Sequence, residues 1–98
     1  MAKRLKSIFT DDMDHCMFTG YAPVERHHIF EGRQGYKKKS EKYCFIAPLR
    51  PDLHPNGSQA GPHAKEVDIY LKQSAQRYYE KHIGTREDFR QEFGKSYL

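Results

Sequence analysis

The spacing of apolar positions changes twice along this chain, and each change predicts a different kind of structure. Residues 1–15 are polar and charged, with Leu5, Ile8 and Phe9 as anchors, and read as an arm or short lead-in to a single domain over 16–98. Residues 16–62 are punctuated by Gly20, Pro23, Gly32, Gly35, Pro48, Pro51, Pro55, Gly57 and Gly61. Within them, residues 25–30 and 43–47 combine aromatic and β-branched side chains with flanking turn formers, the usual strand signal. The intervening stretch 31–42 is too long for a tight turn and is expected to be an exposed loop.

From Pro62 onward the period becomes helical. Val67, Tyr70, Leu71, Ser74 and Tyr78 follow i, i+3, i+4, i+7, i+11 spacing, with charged residues opposite. Pro62 suits the first turn and Gly84 suits a stop. A second helix opens at Thr85, where Asp88 three residues on makes a capping-box pattern. Phe89 and Phe93 then share a face, and Gly94 ends the helix. The Tyr70, Leu71 and Tyr78 stripe reads as core, as do Tyr79 and the Phe89/Phe93 pair. The layout is strand, long loop, strand, loop, helix, short helix: a small α+β domain.

Composition narrows the setting. Ninety-eight residues make one domain with room for one core. Mean hydropathy is −0.96, and no apolar run approaches the roughly 20 residues of a membrane span. The basic start, Met1 to Lys6, is followed by no apolar segment, so a secretory signal is not expected. Two cysteines, Cys16 and Cys44, then read as reduced thiols in a cytoplasmic protein.

Four of the six histidines, His27, His28, His54 and His63, lie between positions 27 and 63. Neighbours on a strand point to opposite faces, so the His27-His28 doublet can divide its labour. One imidazole can bind a metal while the other accepts a proton near neutral pH. His27, His54 and His63 would leave coordination positions vacant, as catalytic sites do, and His28 would be the base. A divalent metal, Mg, Mn or Zn at one site, would neutralise charge developing on a phosphate. The competing reading of the doublet is one surface histidine beside one half-buried, hydrogen-bonded one. His82 suits a helix C-terminus and His15 a surface position, and neither is assigned chemistry.

Charge then supplies a substrate class. The chain carries 17 Lys and Arg against 13 Asp and Glu, and the excess is concentrated. Arg33, Lys37, Lys38, Lys39 and Lys42 fall within ten residues, with Tyr36 and Tyr43 interleaved and Glu41 the one opposing charge. Such residues neutralise phosphates and release counterions, which predicts nucleic-acid binding, most simply to DNA. The alternative is a solvated charge run.

The series Cys16-Met17-Phe18-Thr19-Gly20, Glu25 through Phe30, Ser40 through Tyr43, Leu49 through His54, and Gly61-Pro62-His63 resembles the HNH (ββα-metal, or His-Me finger) nucleases. Within that resemblance the match is closer to a group of small phage-encoded HNH-like proteins, and the likeness runs from Cys16 nearly to the end. The tail shares their style in Leu71-Lys72, Gln76, Phe89 and Phe93 through Leu98. The resemblance implies a hairpin-and-helix ββα-metal core with an additional C-terminal helix, in a metal-dependent endonuclease that hydrolyses phosphodiester bonds. It implies His27 and His54 as metal ligands, His63 as a third ligand or phosphate contact, and His28 as general base. Departures are visible. Cys16 is followed three residues later by Thr19, and residues 49–52 hold no cysteine, so a structural zinc is not expected. The family's middle Asn has no counterpart between His28 and His54, which leaves Ser40 or a backbone carbonyl as the candidate that orients His28.

Other classes compete with the enzyme. A binding-only HNH-fold protein would keep the basic stretch without hydrolysis, as a DNA-binding accessory or a phage inhibitor of host machinery, with a protein partner in phage or host DNA metabolism. A metal-stabilised module would use the histidines for a closed zinc alone.

Overall fold

Strand β1, Glu25–His28, pairs antiparallel with β2, Ile46–Leu49, so that Glu25 faces Leu49, Arg26 faces Pro48, His27 faces Ala47 and His28 faces Ile46. The computed structural model describes residues 5–98; residues 1–4 of the predicted lead-in lie outside the described residues. Around this two-stranded hairpin stand the helices α1, Tyr36–Tyr43, α2, Ala64–His82, and α3, Arg86–Phe93, with a single 3-10 turn at Pro51–Leu53. The fold is α+β, as the alternation of periods predicts.

The stretch 31–42 departs from the expected loop, because its second half is α1. Gly35, at φ 86°, turns the chain into the helix, and Cys44, at φ 62°, ends it. Tyr36, Lys39, Ser40 and Tyr43 lie at i, i+3, i+4 and i+7 on the inward side, while Lys37, Lys38 and Lys42 are exposed. A lysine-rich sequence hides this amphipathic face, because its inward residues are two tyrosines, a serine and the stem of a lysine. Tyr43 therefore belongs to a helix, and β2 starts three residues later than the strand expected at 43–47.

Buried Ser40 fastens α1 to the end of β1. Its hydroxyl accepts from the Phe30 N–H at 3.0 Å and donates to the Phe30 carbonyl at 2.8 Å. The Ser40 carbonyl accepts from the Phe45 N–H, and Phe45 returns its own carbonyl to the Ile29 N–H. The Ile29 N–H bond continues the ladder, but the Phe45 N–H that would return it is spent on Ser40, so β1 stops at His28 instead of Phe30.

The core lies between hairpin and helices. Ile29, Phe30, Phe45, Leu49, Leu71, Phe89 and Phe93 are fully buried, each stabilising the fold by about 1.5–3 kcal/mol. The Phe30 ring is 4.2 Å from that of Phe93 and packs near Phe45, Phe89 and Tyr97. Helix α3 is capped as predicted, with Thr85 and Asp88 exchanging hydrogen bonds and Gly94 closing the end. On α2 the inward face is rotated from the predicted stripe. Leu71, Ala75, Gln76 and Tyr79 are buried, whereas Tyr70 is 53% exposed and Tyr78 37%.

The rotation follows from polar residues that periodicity does not count as core. Gln76 accepts from the Tyr97 N–H and donates to Ser96 and Glu80. Tyr79 and Tyr43 both donate to the Glu92 carboxylate, at 2.6 Å and 2.7 Å, which joins α1, α2 and α3. Burial and the Glu92 charge push the Tyr43 phenol up to about 12. The lead-in also lies on the core: Ile8 and Phe9 pack against it, and the Ile8 N–H reaches the Cys44 carbonyl. Among the described residues, no helix is long and apolar enough to cross a membrane.

Ser40→Ala leaves a buried N–H and a buried carbonyl of Phe30 without their partner. The loss should be about 2–4 kcal/mol of unfolding free energy, measured by urea denaturation. A loss under about 0.5 kcal/mol would mean that the clamp contributes nothing beyond ordinary surface substitutions.

Candidate active site

Alternation along β1 separates two clusters of histidine and carboxylate. Glu25 and His27 share one face, and Arg26 and His28 share the other. On the first face, the 3-10 turn after β2 delivers His54, whose Nδ1 lies 2.5 Å from Glu25 Oε1. The rings of His27 and His54 meet edge to face, with centroids 4.8 Å apart. Gly57 lies against this pair, where an added methyl would stand 3.1 Å from both Glu25 Oε1 and the His54 ring. On the second face, α1 brings Glu41 to His28, with Oε2 at 2.9 Å from Nε2.

His27 is the unusual member. It is 1% exposed, and neither ring nitrogen has a hydrogen-bond partner among the described residues. Burial first, then the nearby charges of His54, Lys72 and His28, push its pKa down to about 3. The ring is therefore neutral at physiological pH, with a lone pair on one nitrogen. A buried polar group without a partner costs about 1–3 kcal/mol and calls for an explanation. His54 is differently placed. Its Nδ1 is committed to a carboxylate, which as an acceptor fixes the tautomer that bares Nε2.

His63 does not join them. It precedes α2 with a side chain 68% exposed, and its Nδ1 lies 3.8 Å from Glu66 on the same helix. Among the described residues, no group of three His, Cys, Asp or Glu side chains is disposed to hold a metal ion. The sequence-predicted triad thus resolves into a close His27–His54 pair and a separate surface histidine. Ser40 is not beside His28 either, because its hydroxyl is spent on Phe30. Glu41, the next residue, occupies that place.

Glu25 and Glu41 are the site residues that motif reading passes over, and each leaves a signal. Glu25 stands two residues before His27, hence on the same strand face. Glu41 is the one acid within the basic run. That run is itself divided. Arg33, Lys37 and Lys38 line an open cleft of about 440 Å³ with Gly32, Gln34 and Gly35. Lys42 is exposed beside the Tyr43 ring, whereas Lys39 turns inward and donates to the Glu92 carbonyl at 2.7 Å.

Cys16 and Cys44 are both free thiols. Burial raises the Cys16 pKa, but hydrogen bonds from the Thr19 hydroxyl and the backbone N–H groups of Arg50, Phe18 and Thr19 outweigh it and bring the thiol below its ordinary range. These bonds tie the turn after Cys16 to the end of β2.

Comparison with known proteins finds no matching family model, and neither a curated protein nor a solved structure is similar to the chain.

His27 makes stability depend on pH in a definite direction. Its pKa falls from 6.5 in the unfolded chain to about 3 in the fold, so the unfolded chain binds the proton more readily between those values. Stability should fall as pH drops from 6.5 towards 3. In chelator, the parent should lose about 2 kcal/mol more than His27→Phe between about pH 6.5 and pH 4.5, by urea denaturation. Equal losses in the two proteins would show that the ring takes up its proton as readily in the fold as outside it.

Proposed function

We propose that this chain is a metal-dependent endonuclease of the HNH (ββα-metal) type, hydrolysing phosphodiester bonds in DNA. The observation that carries the reading is the buried, neutral His27, unpartnered at both nitrogens and set against a carboxylate-oriented His54. Two imidazoles with bare nitrogens in a desolvated setting fit a divalent metal of the Mn, Zn or Mg class, with further positions left to water and phosphate oxygens. Glu25 would act on that centre through His54, as carboxylates behind ligating histidines do. His63, on the surface, is the residue for a phosphate contact more than for a ligand.

His27 and His54 would hold the metal, which when bound would neutralise charge developing on the phosphate and ease departure of the leaving oxygen. His28, one residue along the same strand, faces the other way and is the ring left to take a proton from water. Its rigid attachment to β1 keeps the base a fixed distance from the ligand beside it. Arg33, Lys37, Lys38 and Lys42 would neutralise backbone phosphates on the exposed side of α1, whereas Lys39 serves the fold. The setting proposed with this activity is intracellular and phage-encoded.

Nicking of supercoiled plasmid with Mg or Mn is the direct test. His28→Ala should lower the rate by about 10² to 10⁴ while leaving folding and DNA binding intact. His27→Ala and His54→Ala should each weaken Mn or Zn binding in calorimetric titration, and unchanged affinity in both would remove the metal site. DNA binding without nicking in the parent would point instead to the non-catalytic accessory or to a phage inhibitor of host machinery.

The basic residues make a separate prediction. Lys37→Ala with Lys38→Ala should flatten the plot of log affinity against log salt by about 1.8, at about 0.9 per lost phosphate contact. Lys39→Ala should leave that slope alone and lower thermal stability, because its amine is bonded to α3. A double variant with an unchanged slope would reduce this face of α1 to a solvated charge run.

A further inference from the structure

The second carboxylate–histidine pair has a consequence for how the base works. His28 is half-buried, and its Nε2 lies 2.9 Å from Glu41 Oε2 on α1. An ionised carboxylate only accepts hydrogen bonds, so the nitrogen facing it carries the proton. The neutral ring then has its lone pair on Nδ1, which has no hydrogen-bond partner among the described residues. We infer that Glu41 is the positioning residue for His28, fixing the ring in the tautomer whose Nδ1 accepts the proton from the attacking water. This rests on the nuclease reading for its chemical meaning, but the tautomer itself is a property of the folded chain.

The geometry around Glu41 supports a dedicated role. Ser40 is clamped to Phe30 through both backbone groups, and Tyr43 is bonded to Glu92, so the helix turn bearing Glu41 is pinned on either side. The backbone that carries Glu41 is thereby fixed relative to the end of β1. Lys37 and Lys38 stand four and three residues before Glu41, hence on its side of the helix. One rigid helix thereby links the phosphate-facing cations to the group that aims the base.

The step is balanced with water as co-reactant. The water oxygen forms a bond to phosphorus, and its proton passes to His28 Nδ1. The bond from phosphorus to the sugar oxygen breaks, and that oxygen takes a proton from solvent. Glu41 accepts the Nε2–H bond throughout and stabilises the imidazolium that forms. It neither gains nor loses a proton itself.

Two readouts test the inference together. Two-bond proton–nitrogen correlation spectra of His28, taken on metal-free protein at about pH 8 where an ordinary imidazole is neutral, report which nitrogen carries hydrogen. The parent should show protonated Nε2 and bare Nδ1. Glu41→Ala should lose that preference, and Glu41→Gln, whose amide oxygen still accepts, should keep it. In plasmid nicking, Glu41→Ala should lower kcat by about 10- to 100-fold with KM within about twofold, and Glu41→Gln should recover most of the loss. A tautomer unchanged in Glu41→Ala, or a kcat within about twofold of the parent, overturns the assignment. A parent that shows the Glu41-dependent tautomer but nicks nothing overturns the nuclease reading, and with it the positioning role.

Discussion

The hydroxyl of Ser40, buried and bonded to both backbone groups of Phe30, is the constraint on which the rest of this small protein depends. Without it, an eight-residue helix of mostly lysine and tyrosine would have little reason to form, since isolated helices of this length are marginal in water. With it, α1 is fixed to the end of β1 at the point where the strand stops pairing. Everything assigned to α1 follows: Glu41 on His28, Lys37 and Lys38 turned to solvent, Tyr43 and Lys39 turned to α3. The short length of β1 goes with the neighbouring bond, from the Phe45 N–H to the Ser40 carbonyl.

A single strand therefore carries two imidazoles in opposite electrostatic conditions. His27 is desolvated and held neutral, with nothing to bond to. His28 keeps part of its surface in solvent and has a carboxylate at Nε2. The chemical difference comes from burial and not from residue type, because adjacent positions on a strand face different surroundings. His54 repeats the logic from the neighbouring turn, with Glu25 as its carboxylate. Each carboxylate engages one ring nitrogen and thereby leaves the lone pair on the other.

Local periodicity made part of this legible in the sequence. The division of His27 from His28 is a period-of-two argument and needs no tertiary knowledge. The Thr85–Asp88 cap and the Phe89/Phe93 face of α3 are equally local, and both stand in the structure. What escaped depended on partners distant in sequence. Helix α1 is amphipathic only when tyrosine rings and a lysine stem are counted as its buried face, and Phe93, far along the chain, is what buries them. Tyr79 displaces Tyr78 from the core because Glu92 waits for its hydroxyl. Glu41, and not the expected Ser40, lies beside His28, since a one-residue step on a helix turns a side chain through about 100°. His63 shows the reverse case, since motif spacing groups it with His27 and His54 while the start of α2 keeps it at the surface.

A domain of this size has a net stability of about 5–15 kcal/mol, so retaining one unpartnered buried imidazole at about 1–3 kcal/mol is a sizeable sacrifice. An apolar residue at position 27 would remove it without disturbing the strand ladder, since the pairing of His27 with Ala47 uses backbone groups alone. Gly57 adds to the same account, because its missing side chain leaves the room that the His54–Glu25 pair occupies. Local structure here is arranged at the expense of stability on one side of β1, while on the opposite side Arg26 and His28 each meet a carboxylate. On the proposed reading the deficit is made good by the ligand: a metal that binds the folded chain alone raises its stability by RT ln(1 + [L]/Kd), about 2.7 kcal/mol at a hundredfold excess over Kd. That is the same size as the cost of the bare ring, so the protein without metal would be held below its best stability by the group that binding requires.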